Sequence, residues 1–216
     1  MQHAHEVAFV DYLLRMVEAN AELDRSIGIE AQIETATGLE NITEIAHASG
    51  RLEALIFGPA DMSASLGLPA TTPGLPMPGY PGDHWHAVLV RILIAARAAG
   101  LQAIDGPHLA IRDLDGLREG ATRASALGYD GKWAVHPGQI ETLNSAFTPP
   151  QEDFDRAEAL LERYRRATED EQRGALMFGN EMIDEASAKM AAAVVQRGRA
   201  AGLTVQRTLE DIERER

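Results

Sequence analysis

The chain has 216 residues, 45% hydrophobic and 25% charged, with 20 Lys and Arg against 33 Asp and Glu, for a net charge of −13. That length buries a real core as one large or two small domains. So acidic a chain argues against nucleic acid or an anionic membrane as main partner, although a few Arg residues suffice to hold a phosphorylated small ligand. The absence of Cys excludes disulfides, thiolate nucleophiles, iron–sulfur clusters and Cys-zinc sites, leaving carboxylates, His, Lys, Arg or a metal to carry any chemistry.

Apolar spacing through Val10, Leu13, Leu14 and Val17 predicts a helix over Val7 to Leu23. Ile27 to Ile33 reads as a short strand ending at Glu34, and Leu39 to Ala48 resumes helical spacing until Ser49 and Gly50 stop it. Leu52 to Phe57 is the apolar run of a strand buried on both faces, and it ends in Gly58-Pro59-Ala60-Asp61. Leu68 to Gly82 contains five prolines and reads as a long ordered loop with a functional role. Asp83 is placed to cap a helix that runs to Ala99. A strand over Leu101 to Ile104 follows, ending in Asp105-Gly106-Pro107-His108, then a helix from Leu114 to Leu127. Lys132 to Val135 is the fourth strand, ending at His136-Pro137, and Gly138 to Ser145 starts another helix. After a boundary at Thr148-Pro149-Pro150 the pattern is purely helical: Glu152 to Thr168, a break from Gly174 to Gly179, Ile183 to Ala201, and a charged tail.

The longest apolar stretch, Ala87 to Ala99, is interrupted by Arg91 and Arg97 and is too short to span a bilayer. The opening MQHAHEVAFV lacks the pattern of a signal peptide, so a cytoplasmic location is expected.

Strand and helix alternate four times, which implies a parallel sheet with right-handed crossovers. The polar residues at the strand ends, Glu34, Asp61, Asp105 and His136, fall 27, 44 and 31 residues apart. An eight-fold (β/α) barrel spends roughly 31 residues per unit, and the long middle gap is the Pro-rich insertion. In such sheets ligands sit at the strand C-termini, so these four positions are expected on one face. Glu34 and Asp61 form the sharpest pair. Neighbouring strand tips lie ~4.8 Å apart, close enough for two carboxylates to share Mg²⁺ with waters and substrate oxygens. Each also suits a helix N-terminus as a plain capping carboxylate. Gly58-Pro59-Ala60 offers either a turn or backbone N–H groups, at Ala60 and Asp61, for a ligand carboxylate. His84 and His86 read as a surface pair, while His108 and His136 are acid/base candidates or structural histidines. Arg156, Arg163, Arg165 and Arg166 alternate with acids on a solvated helix face, and Asp184 reads as an N-cap.

Five segments occur in order: Ile33–Ala36 (IETA), Leu55–Gly67 (LIFGPADMSASLG), Ile104–Pro107 (IDGP), Gly131–Ile140 (GKWAVHPGQI) and Glu181–Asp184 (EMID). With these the chain resembles the citrate lyase β-subunit / malyl-CoA lyase family (HpcH/HpaI aldolase-like) of Mg²⁺-dependent carbon–carbon lyases, from about Ile27 to Leu203. The resemblance implies an α/β fold of (β/α)₈ TIM-barrel type with a C-terminal helical lid. Residues 1–148 would be the C-terminal half of the barrel carrying the metal site, and 149–216 the lid and oligomerisation segment. It implies that Glu34 and Asp61 are the metal ligands, for Mg²⁺ or Mn²⁺, and that Gly58, Pro59, Ala60 and Asp61 hold the oxo-acid carboxylate. Asp184 would be the catalytic lid carboxylate, reaching the active site of a neighbouring subunit. The implied reaction is reversible Claisen-type cleavage of a 3-hydroxyacyl-CoA, such as malyl-CoA, to acetyl-CoA and a 2-oxo acid such as glyoxylate. A malyl-CoA thioesterase on the same scaffold, and a fragment acting only in assembly, are the alternatives. Expected partners are an acyl-CoA and a small 2-oxo acid, with no nucleic acid and no membrane. The expected assembly is a homo-oligomer, trimer or hexamer, with lid exchange between subunits. The family's first four βα units have no counterpart, so the chain reads as the C-terminal half of a longer enzyme, a truncated product, or a half that pairs with another chain.

Overall fold

Thr35 opens the first turn after the first strand by accepting the Gly38 backbone N–H at 3.0 Å, and this is how the chain repeatedly converts strand into helix. The computed structural model describes residues 1–69, 77, 79–169, 172 and 174–214, and divides into two compact units, Met1–Leu143 and Asn144–Arg216. In the first unit, helix α1 (Ala4–Asn20) precedes strand β1 (Ile29–Ile33), short helices α2 (Ala36–Glu40) and α3 (Ile42–Ala46), and strand β2 (Leu52–Phe57). Helices α4 (Pro59–Ser65) and α5 (His86–Ala98), strand β3 (Gln102–Asp105), helix α6 (Leu114–Leu127), strand β4 (Gly131–Lys132) and helix α7 (Ile140–Phe147) complete the alternation.

The four strands pair in chain order, all parallel, as the βαβ pattern requires. β2 is central and carries the most apolar sequence, with Ala54, Leu55, Ile56 and Phe57 all buried. Ile33 pairs with Phe57, so Glu34 and Gly58 leave the sheet side by side. Helices α5 and α6 pack their apolar faces onto this sheet through Val88, Leu89, Ile92, Leu117, Ala121 and Ala124. Gly128, at φ 113°, ends α6 in the left-handed conformation that favours glycine.

Several expectations need correction. The fourth strand was expected over Lys132 to Val135 but pairs only at Gly131 and Lys132; Val135 N–H instead donates to the buried Gln139 side chain at 3.0 Å. The helix expected from Leu39 to Ala48 is two short helices meeting at Asn41. α1 turns its charged side inward. Arg51 Nε and Nη2 reach Asp11 at 2.7 Å and Glu18 at 2.6 Å, and Ser49 Oγ donates to Asp11 at 2.9 Å. Leu13 and Val17, two of the residues whose spacing predicted this helix, are exposed together with Phe9, Tyr12 and Met16. Most of the Pro-rich segment, residues 70–76 and 78, lies outside the described residues.

The second unit is not purely helical. Helix α8 (Gln151–Glu169) is followed by an antiparallel hairpin, β5 (Leu176–Phe178) with β6 (Glu181–Ile183), then α9 (Glu185–Ala200) and α10 (Leu209–Arg214). Ile183 ends β6 rather than starting a helix, because its buried side chain joins Leu176 and Phe178 against α8 in a core with Phe154, Leu160 and Val195.

Candidate active site at the strand C-termini

The candidate residues of the first unit collect where β1, β2 and β3 end, the sheet edge at which parallel βα folds bind ligands. Glu34 follows β1, and its side chain lies over Gly58, the residue following β2. A Cβ at position 58 would stand 2.5 Å from Glu34 Cβ and 3.1 Å from its Oε2. Gly58 also receives the Ile33 carbonyl, donating its N–H at 2.9 Å. Pro59 takes the first helical position of α4, where its missing N–H costs nothing, and Asp61 stands exposed in the same first turn. The turn that carries Ala60 and Asp61 therefore starts beside Glu34, at Gly58. A cavity of about 460 Å³ opens between Glu34 and Thr35 on one side and His5, Glu6, Phe9 and Val10 of α1 on the other.

Among the described residues neither Glu34 nor Asp61 has an ion pair or a side-chain hydrogen bond, in a chain where most Arg residues are clamped to acids. Two bare carboxylates at adjacent strand ends fit a hard divalent cation. Mg²⁺ takes one or two protein carboxylates and fills its octahedron with water and substrate oxygens. No group of three or more His, Asp or Glu able to hold a metal occurs among the described residues, so a cation here depends on such non-protein ligands.

The third strand end is built differently. Asp105 is buried; its Oδ2 receives Lys132 Nζ at 2.6 Å and its Oδ1 receives the Gly106 N–H at 2.7 Å. The sequence placed Asp105 among the open polar residues, whereas Lys132 neutralises it. His136 caps the short 3₁₀ turn Pro137–Gln139 and is exposed. His108 is buried with Nε2 3.4 Å from Asp113 Oδ2 but outside hydrogen-bond geometry, and Gln139 donates to its carbonyl at 2.9 Å. His84, read as a surface residue, is half-buried against Trp85, with ring centroids 4.6 Å apart, and burial holds its pKa below the ordinary imidazole value. His86 is exposed.

In the second unit Asp184 caps α9, accepting the Ser187 N–H at 3.0 Å. This hydrogen bond holds its carboxyl below the usual range, so it is ionised at neutral pH. Arg156 pairs with Glu181 at 2.6 Å, and Arg165 and Arg166 pair with Glu162.

The HpcH/HpaI aldolase/citrate lyase family model matches residues 1–137, which include all four parallel strands, Glu34 and Asp61. The chain belongs to the HpcH/HpaI aldolase/citrate lyase family. Within it, the chain is 34% identical over 202 residues to the L-malyl-CoA/β-methylmalyl-CoA lyase of Rhodobacter capsulatus, covering 89% of this chain and 63% of that protein. It is also 34% identical, over 151 residues, to the (3S)-malyl-CoA thioesterase of Cereibacter sphaeroides, covering 70% of this chain and 50% of that one. Among solved structures, CitE from Mycobacterium tuberculosis, in complex with magnesium, acetoacetate and coenzyme A, superposes with a TM-score of 0.69. It is 30% identical and is matched over 92% of this chain and 66% of its own. The chain thus spans between half and two thirds of the length of these relatives, and its four βα units form a partial barrel.

Proposed function

We propose that the chain carries the metal and oxo-acid half of a Mg²⁺-dependent acyl-CoA carbon–carbon lyase of the malyl-CoA, citramalyl-CoA or citryl-CoA type. The observation that carries this reading is the bare pair Glu34 and Asp61, set on consecutive βα units beside Gly58. Relatives named as malyl-CoA lyases, and a neighbour crystallised with magnesium, acetoacetate and coenzyme A, support it.

Glu34 and Asp61 would hold the cation, with Mn²⁺ as a chemical substitute. The Ala60 and Asp61 N–H groups, in the first turn of α4, would donate to the acid's carboxylate. A bound divalent ion supplies neutralisation of that carboxylate and of the oxygen on which charge develops. In cleavage, the carboxylate of Asp184 from a neighbouring copy would take the proton of the 3-hydroxyl group. The carbon–carbon bond then breaks, and the former hydroxyl carbon becomes the carbonyl of the 2-oxo acid. The electrons of that bond pass to the acyl-CoA α-carbon as an enolate, which takes up one proton from solvent to give the acyl-CoA while Asp184 returns its own to solvent. The reverse reaction returns the proton from Asp184. Asp184 is ionised at neutral pH and so in the accepting form, while the cap hydrogen bonds that lower its pKa weaken it as a base until they are released. Domain roles follow the same reading: residues 1–148 hold the site, and 149–216 act as lid and oligomerisation segment.

The thioesterase homologue favours a second reading on this scaffold, in which water attacks the thioester. Incubation with malyl-CoA and Mg²⁺, following glyoxylate and free CoA thiol separately, distinguishes them. Glyoxylate supports the lyase and thiol alone the thioesterase. If neither forms, the chain has no such activity by itself and acts only in assembly.

A further inference from the structure

We infer that Lys132 is a positioning residue for the Gly58–Asp61 turn, acting through Asp105 and Gly106. The inference rests on the metal-site reading above, but its observations are separate. Asp105 and Lys132 are register partners at the ends of β3 and β4. Their side chains are each 9% exposed and meet at 2.6 Å, so the pair is desolvated and its geometry fixed. The second Asp105 oxygen holds the Gly106 N–H at 2.7 Å, and the Asp105 carbonyl accepts the Trp133 N–H at 2.9 Å. Both oxygens and the backbone of Asp105 are thereby tied.

What this fixes is the position of Gly106. Its Cα sits so close to β2 that an added Cβ would meet the Pro59 ring and stand 2.5 Å from the Phe57 carbonyl oxygen. Pro59 begins α4, and Asp61 lies in its first turn. A continuous line of contact therefore runs from the Lys132 ammonium to the turn carrying Asp61. Without Lys132, Asp105 is left as a lone buried carboxylate, which draws in water or rotates outward. Either response releases Gly106 and lets Pro59 move, and with it the direction of Asp61.

The test is calorimetric titration with MgCl₂ in the presence of pyruvate, comparing wild type with K132M, G106A, the double variant and D61A. Circular dichroism confirms that each protein is folded at the titration temperature. K132M is expected to weaken Mg²⁺ binding about tenfold, the scale at which partners behind metal ligands act. K132M and G106A should be strongly non-additive, since both work through the contact with Pro59. A merely structural Lys132 would lower the melting temperature while leaving Mg²⁺ affinity of the folded protein unchanged, and that result overturns the inference. Should G106A not fold, K132M and K132R decide alone: K132R, which keeps the charge, should bind closer to wild type than K132M. Wild type binding no Mg²⁺ would overturn both readings. Mg²⁺ binding abolished in D61A yet unaltered in folded K132M would leave the metal site standing and remove this inference.

Discussion

Glu34 fills the space that a side chain at Gly58 would need, its Cβ 2.5 Å and its Oε2 3.1 Å from where a Cβ would sit. The glycine is required for that reason and not for an unusual backbone, since its φ is −105°. Gly58→Ala should push Glu34 away from Asp61 and lower Mg²⁺ affinity at least tenfold, about 1.4 kcal/mol. Calorimetry with MgCl₂ checks this. Affinity equal to wild type would show that the Glu34 position does not matter to the cation.

Arg51 bridges Asp11 and Glu18, and all three side chains are only 11–13% exposed. Arg51→Met should detach α1 and lower the melting temperature by several degrees, because two carboxylates lose their shared cation. The pH dependence follows from the same contacts. Hydrogen bonds from Arg15 hold Asp11, and from Arg51 hold Glu18, below their ordinary values of 3.8 and 4.5. Depressed folded-state values contribute stability that is present above the ordinary ones and lost as pH falls through the folded ones. Thermal melts from pH 7 downward should therefore show this contribution intact to about pH 5 and fading below pH 4.5 in wild type, with a weaker dependence in Arg51→Met.

The polarity of α1 shows where the sequence is legible and where it is not. Spacing alone located the helix, and alternation of strand and helix patterns implied the parallel sheet, because both patterns are local. Which face of α1 turns inward depends on Arg51, more than 30 residues away from Glu18, and periodicity carries no such information. Lys132 escaped notice for a related reason: it looks like a strand residue until the register sets it opposite Asp105. The β5–β6 hairpin was hidden because Leu176 to Phe178 and Glu181 to Ile183 are only three residues each, too short for an alternating pattern to register. Glu34 and Asp61 stood out as candidates because each lies just beyond an apolar run, where a polar residue has a directional meaning, and the pairing of β1 with β2 sets the two following turns side by side.

Asp184 carries two assignments that separate experimentally. As N-cap of α9 it accepts the Ser187 N–H, so Asp184→Ala should lower the melting temperature by a few degrees, while Asp184→Asn retains most of the cap. The stabilisation from the ionised cap should persist above pH 3.8 and be lost as pH falls further, because the folded-state value is depressed. If Asp184 is also the proton acceptor, both variants should lose malyl-CoA cleavage at pH 7, although Asn keeps the fold. Activity retained in Asp184→Asn would confine the residue to capping.

The claim on which the account turns is that Glu34 and Asp61 together grip one divalent ion. Crystals grown with MnCl₂ and pyruvate, measured for anomalous scattering at the manganese edge, test it most directly. The expected result is a single strong peak between the two carboxylates, bonded to an oxygen of each. Carboxylates turned apart with no peak between them, or a peak held by other side chains, would contradict it.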